Sequence, residues 1–156
     1  SGYAGGGAAT AKYDEVGSGR TGHAEAVRIS FNPAEVSDGR LLQIYFSVIA
    51  DPTTLNAQGP DRGTQYRSAL FPLNAGQKQV AAAYLAQLGK ARVWDRPIVT
   101  RIERAQGFFP AERYHQNYLA LNPTAGYIVV NDMPKVTALK SFYPQLWRQQ
   151  PVLVKG

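Results

Sequence analysis

The sequence predicts an α+β fold, a mixed sheet packed with helices as a two-layer sandwich in a single domain. Three observations carry that expectation. The chain has 156 residues, within the roughly 100–200 typical of one domain. Apolar residues make up 44% and charged residues 18%, enough to bury a core and unlike the composition of disordered chains. Strand-like and helix-like periodicities interleave without strict alternation, which favours α+β packing and leaves a doubly wound parallel sheet as the alternative.

The elements follow in order. Gly2 to Gly7 is a glycine stretch that, with Gly17, Gly19 and Gly22, makes the first 22 residues loop-dominated. Ala26 to Phe31 alternates small or apolar residues with Arg28 and Ser30, the period of a half-buried strand, and Asn32-Pro33 ends it. Ser37 suits the N-cap of a helix with Leu41, Leu42, Tyr45, Phe46 and Ile49 on one face, closed by Asp51-Pro52. Thr53 to Gly63 is polar and reads as a long loop, and Thr64 to Phe71 then offers a strand. Asn74 caps a second helix whose buried stripe is Val80, Ala81, Tyr84, Leu85 and Leu88, followed by a strand at Ile98 to Ile102. Ala111 to Leu121 reads as a short helix with Tyr114, Tyr118 and Leu121 on one face, Tyr127 to Val130 as a brief buried strand, and Pro134 to Phe142 as a last helix. From Tyr143 onward, Leu146, Trp147, Val152 and Val154 are expected to pack the tail against the body. No internal repeat is present.

Charge and composition narrow the function. Seventeen basic against eleven acidic residues leave a net charge of +6, but no two basic residues are adjacent. That pattern reads as a solvated basic surface, with no nucleic-acid partner expected. The longest apolar run, Leu41 to Ala50, carries Gln43 and Ser47 and is too short to span a membrane. The absence of cysteine excludes disulfides, Cys-ligated zinc, iron–sulfur clusters and a thiol nucleophile from these residues.

Candidate chemistry gathers in two glycine-flanked segments, Tyr13 to Glu25 and Asp51 to Arg67. The first holds Tyr13, His23 and Glu25; the second holds Asp51, Asp61, Gln65 and Tyr66. If the segments converge, two phenols and a carboxyl line one pocket. Such a set suits a substrate oxygen that gains negative charge, because a phenol with pKa about 10 stays protonated at neutral pH and donates. Glu25 could deliver a proton if desolvation raised its pKa. The alternative is that Tyr13 and Tyr66 are core aromatics and Glu25 an exposed strand carboxylate. His23 and Glu25, two apart on a strand, would share a side, a minimal metal pair with His115 as a distant third. A structural role is the better expectation for each histidine, and no metal or bound cofactor is expected. No Gly-x-Ser-x-Gly elbow is present, and Gly2 to Gly7 lacks the Lys-Ser/Thr of a phosphate-cradling loop.

Several stretches carry a specific resemblance: Gly2-Tyr3-Ala4-Gly5-Gly6, Tyr13, Ser18-Gly19-Arg20-Thr21-Gly22-His23-Ala24-Glu25-Ala26-Val27, and Gln58-Gly59-Pro60-Asp61-Arg62-Gly63-Thr64-Gln65-Tyr66-Arg67-Ser68. With Tyr114-His115-Gln116-Asn117-Tyr118-Leu119 and Asn131-Asp132-Met133-Pro134-Lys135, they strongly resemble the peptide methionine sulfoxide reductase A family. The resemblance implies thiol-dependent reduction of methionine S-sulfoxide, free or in proteins under repair. In that reaction a cysteine thiolate attacks sulfur while the oxygen is protonated. By motif position, Glu25 is the proton donor, Tyr13 and Tyr66 bind the sulfoxide oxygen, and Asp61 holds a water or orients its loop. The family nucleophile opens a Gly-Cys-Phe-Trp-Gly motif upstream of the Gly-Tyr-Ala-Gly-Gly segment, where this chain starts. The resemblance therefore implies a domain lacking its first strand and helix, on the order of 20 residues, together with the Cys and the Phe and Trp that hold the substrate methyl group. Ala50 stands where many relatives have His, and Gly17 where some have a second cysteine; no resolving cysteine lies in the tail. Thioredoxin or a small dithiol is the expected external reductant, with a monomeric state and a cytoplasmic location. The chain as given is expected to be inactive without the thiolate, and a catalytically dead sulfoxide-binding relative is the alternative.

Overall fold

A computed structural model describes residues 1–104 and 106–154, which form two compact units, Ser1–Ala111 and Glu112–Gly156. Their content is α+β: short strands in three small sheets with helices between them.

The first unit opens on a strand, not a loop. β1 (Gly2–Ala4) precedes a short helix, α1 (Tyr13–Gly17), and a second strand, β2 (Ala24–Ala26). β1 lies centrally, antiparallel both to β2 and to a late strand of the same unit, Phe108–Pro110. The glycine that made this stretch look like a loop is what lets it be central, because a Cβ on Gly2 would strike the Phe109 carbonyl and the Phe108 ring. β2 starts earlier than the alternation predicts and ends at Ala26. Beyond it Val27 and Ile29 are 67% and 54% exposed, while the Arg28 guanidinium lies 4.8 Å above the Phe108 ring. Residues 27–31 have the period of a strand but pair with no strand among the described residues.

α2 (Asp38–Ile44) starts where Ser37 accepts a hydrogen bond from the Arg40 N–H at 3.2 Å. It runs into a wider π turn, Tyr45–Ile49, closed by Ala50 N–H to the Tyr45 carbonyl at 2.9 Å. The extra residue rotates Ile49 off the predicted face and leaves it exposed, whereas Phe46 is buried and stacks on Tyr84. The segment read as a long loop contains a hairpin, β3 (Ala57–Gln58) with β4 (Asp61–Arg62). The predicted strand at 64–71 is a 3-10 turn, Thr64–Tyr66, then a shorter strand, β5 (Ala69–Leu70). α3 (Ala75–Ala91), capped by Asn74 accepting from the Gln77 N–H at 2.8 Å, crosses over from β5 to the parallel β6 (Arg101–Ile102). Of the predicted buried stripe only Ala81 is buried; Tyr84, Leu85 and Leu88 are half-buried on the same side, and Val80 is exposed. Phe108–Pro110 is β7.

In the second unit the predicted helix at 111–121 is broken in two. A 3-10 turn, Arg113–His115, and α4 (Tyr118–Leu121) are separated by Asn117 in the left-handed region, φ 56°. Tyr114, Tyr118 and Leu121 are all exposed. The predicted strand at 127–130 is helical: a π turn, Ile128–Asp132, leads into α5 (Met133–Phe142). Ile128 is buried while Val129 and Val130 are exposed, so a helical environment overrides the β-branched preference. In the tail Tyr143 is buried but Val152 and Val154 are exposed. Polar pairing holds it, with Asn117 Nδ2 donating to the Val154 carbonyl at 2.9 Å and Oδ1 accepting from the Val154 N–H at 3.0 Å. Among the described residues no helix is long and apolar enough to cross a membrane.

Candidate active site

The two glycine-flanked segments do converge. Tyr13 is the first residue of α1, Glu25 the middle of β2, Asp61 the start of β4 and Tyr66 the end of the 3-10 turn. Tyr66 is where their influences meet. Its hydroxyl is hydrogen-bonded to the Glu25 carboxyl, and Asp61 and Tyr13 are near enough to act on it electrostatically. Burial, then the negative charges of Glu25 and Asp61, then Tyr13 and the bond to Glu25 push the Tyr66 phenol up to about 12. A phenol so placed stays protonated and donates at every physiological pH. Tyr13 and Glu25 are exposed, and Asp61 and Tyr66 are half-buried. The cluster therefore opens to solvent on its Tyr13–Glu25 side.

His23 does not join this cluster. It is 1% exposed. Its Nδ1 accepts from the Gly6 N–H at 3.2 Å, so Nε2 carries the proton donated to the Gly7 carbonyl at 3.0 Å. Both ring nitrogens are engaged, edge-on contacts with Tyr3 and Phe109 complete its surroundings, and no lone pair remains for a metal. His23 and Glu25 differ in exposure, one buried and the other exposed, although Tyr3, which His23 touches edge-on, is the cross-strand partner of Glu25. Among the described residues no group of three His, Cys, Asp or Glu is placed to hold a metal ion. Asp51 is structural too. Its Oδ1 accepts from the Thr53 N–H and hydroxyl at 2.8 and 2.6 Å, and Oδ2 pairs with Arg96 at 3.3 Å.

A sequence profile described as peptide methionine sulfoxide reductase matches residues 1–147. The chain belongs to the peptide methionine sulfoxide reductase family. It is 56% identical over 154 residues to peptide methionine sulfoxide reductase MsrA 2 of Mesorhizobium japonicum, covering 99% of this chain and 79% of that one. With MsrA of Deinococcus radiodurans it shares 51% over 143 residues, 92% of this chain and 69% of that one. The crystal structure of Mxr1 from Saccharomyces cerevisiae in reduced form superposes with a TM-score of 0.73 at 37% identity, over 79% of this chain and 70% of that one.

In this member of the reductase family the cluster is also built by Thr64, Arg67 and Gly63, which the sequence did not single out, and by Gln65, a candidate it offered without a role. Thr64 Oγ1 donates to the Gly19 carbonyl at 2.6 Å, and Gln65 Nε2 to the Gly17 carbonyl at 3.1 Å. Arg67 donates to Gly22, His23 and Thr64 carbonyls and grips Glu103. Gly63 permits the turn, with φ 136° and no room for a Cβ against the Gln65 amide. The available signal was the crowding of hydrogen-bonding side chains at 64, 65 and 67 around Tyr66, beside a partner segment rich in glycine.

Proposed function

We propose that the cluster of Tyr13, Glu25, Asp61 and Tyr66 binds the S=O group of methionine S-sulfoxide and delivers a proton to its oxygen, as peptide-methionine (S)-S-oxide reductase. The observation that carries this reading is the Tyr66–Glu25 hydrogen bond in a cluster open to solvent. As thiolate attacks sulfur, the S–O bond breaks and charge builds on oxygen. Tyr66 and Tyr13 donate to that charge, and Glu25, protonated once bound substrate desolvates it, transfers its proton. Asp61 orients the hairpin loop or holds a water. The net balance is two thiols oxidised to a disulfide, the sulfoxide reduced to a thioether, and the oxygen leaving as water. No bound cofactor enters; thioredoxin or a small dithiol supplies the electrons to a monomeric enzyme in a cytoplasmic setting.

These 156 residues contain no cysteine, so the attacking thiolate comes from outside them. The same fact favours a second reading, a catalytically dead relative that binds sulfoxide without turning it over. One experiment tests both. The chain is titrated with the S and R epimers of N-acetylmethionine sulfoxide, and then fused at Ser1 to a segment bearing Gly-Cys-Phe-Trp-Gly and assayed with dithiothreitol. Selective binding of the S epimer followed by its reduction in the fusion is the expected result. Binding without turnover supports the second reading, and equal or absent binding of both epimers rejects each.

A further inference from the structure

We infer that Arg67 is a positioning residue for this site, a five-donor clamp that holds the strand bearing Glu25 against the turn bearing Tyr66. The inference rests on the reading of Tyr66 and Glu25 given above, and its geometry is complete. Nε donates to Glu103 Oε1 at 2.8 Å and one Nη2 hydrogen to Glu103 Oε2 at 2.8 Å, a bidentate pair. Nη1 donates to the carbonyls of His23 and Thr64, each at 3.0 Å, and Nη2 also to that of Gly22 at 3.0 Å. A guanidinium has five N–H donors, and every one has an acceptor.

The placement of those acceptors gives the clamp its function. Gly22 and His23 immediately precede β2, whose centre is Glu25, and Thr64 begins the turn that ends at Tyr66. Arg67 is the residue after Tyr66. A shift of its head group would therefore move both members of the Tyr66–Glu25 pair relative to each other. Glu103, just beyond β6, fixes the head group itself, and the two side chains keep only 12% and 23% of their surface exposed. Thr64 and Gln65 add bonds to Gly19 and Gly17, the latter the last residue of the helix that Tyr13 begins. Lysine cannot take over. Its three donors on a single nitrogen cannot reach a planar carboxylate and three carbonyls at once.

The test uses the whole chain with ring-13C-labelled tyrosine, the Tyr66 resonance being assigned by Tyr66→Phe. In the unaltered protein the Tyr66 ring shift is expected to respond as the neighbouring Glu25 carboxyl gains or loses its proton, a step that Glu25→Gln removes. Arg67→Lys and Glu103→Gln are expected to lose that step while circular dichroism shows the fold intact. A merely structural arginine would lower the urea midpoint and leave the step unchanged, which overturns the inference. If Arg67→Lys does not fold, the milder Glu103→Gln decides; if neither folds, the pair is a general stability element and the inference falls. No sulfoxide is present in this measurement, so failure of the functional reading shows instead as absent epimer binding by the unaltered chain.

Discussion

Tyr66 concentrates the chemistry of the site in one hydroxyl. Burial and the charges of Glu25 and Asp61 each disfavour its phenolate, so removing one charge lowers its pKa without restoring the free value. Glu25→Gln is expected to bring the Tyr66 phenol down from about 12 part of the way to 10; a tyrosine ring titration by NMR checks this. In a cysteine-supplied fusion the same substitution is expected to slow sulfoxide reduction by about 10²–10⁴, the range of a lost general acid. Tyr66→Phe is expected to be milder because Tyr13 still donates. Single-turnover rates on the S epimer separate the two. The roles of Tyr13, Glu25, Asp61 and Tyr66 came from motif resemblance, since their residue types and spacing alone favoured core aromatics and an exposed strand carboxylate. His23 was legible as structural only in part. Nothing in the sequence says that its ring bonds Gly6 and Gly7, because those partners are backbone groups 16 and 17 residues away.

At the scale of elements, local signals were read well where the cause is local. Ser37 and Asn74 cap their helices as their side chains predict. Asn74→Ala is expected to cost about 1 kcal/mol, readable as a lower urea midpoint with unchanged slope. Signals failed where a neighbour decides. Gly2 to Ala4 is a central strand because two partners approach it closely, and Val129 and Val130 are helical because the turn before α5 continues through them. Gly6 offers a sharper test of close approach. A Cβ there would lie 2.6 Å from the His23 ring and 2.7 Å from the Thr21 carbonyl, the first buried and the second backbone. Gly6→Ala is expected to destabilise the fold by about 1–3 kcal/mol through overpacking, whereas Gly17→Ala, with open space at its Cβ, is expected to be nearly neutral. Denaturant midpoints of the two variants make the comparison.

For the molecule as a whole, the clamp sets how stability depends on pH. The hydrogen bond from Arg67, opposed by partial burial and aided by the charges of Arg67 and Arg101, holds the Glu103 carboxyl below the ordinary carboxylate range. A carboxyl lowered on folding stabilises fully above its unfolded value, about 4.3, and that stability is lost as pH falls through the folded value. The stability gap between the unaltered chain and Glu103→Gln is therefore expected to be constant near neutrality and to close in acid. Tyr66 acts at the other end. Its raised phenol stabilises fully below about 10, and that contribution is lost as pH rises to about 12. Urea titrations across both windows check the two signs. The overall α+β class was legible from interleaved periodicities, but the interlock of 64, 65 and 67 with 17, 19, 22 and 23 was not, since hydrophobic pattern carries no record of side chains reaching carbonyls. That one-sidedness has an evolutionary consequence. A peptide oxygen is present whatever residue carries it, so the acceptor loop can drift in sequence wherever its dihedral angles allow, while the donor loop cannot. Methods that look for paired substitutions would pass over this joint, because only one of its two halves is written in side chains.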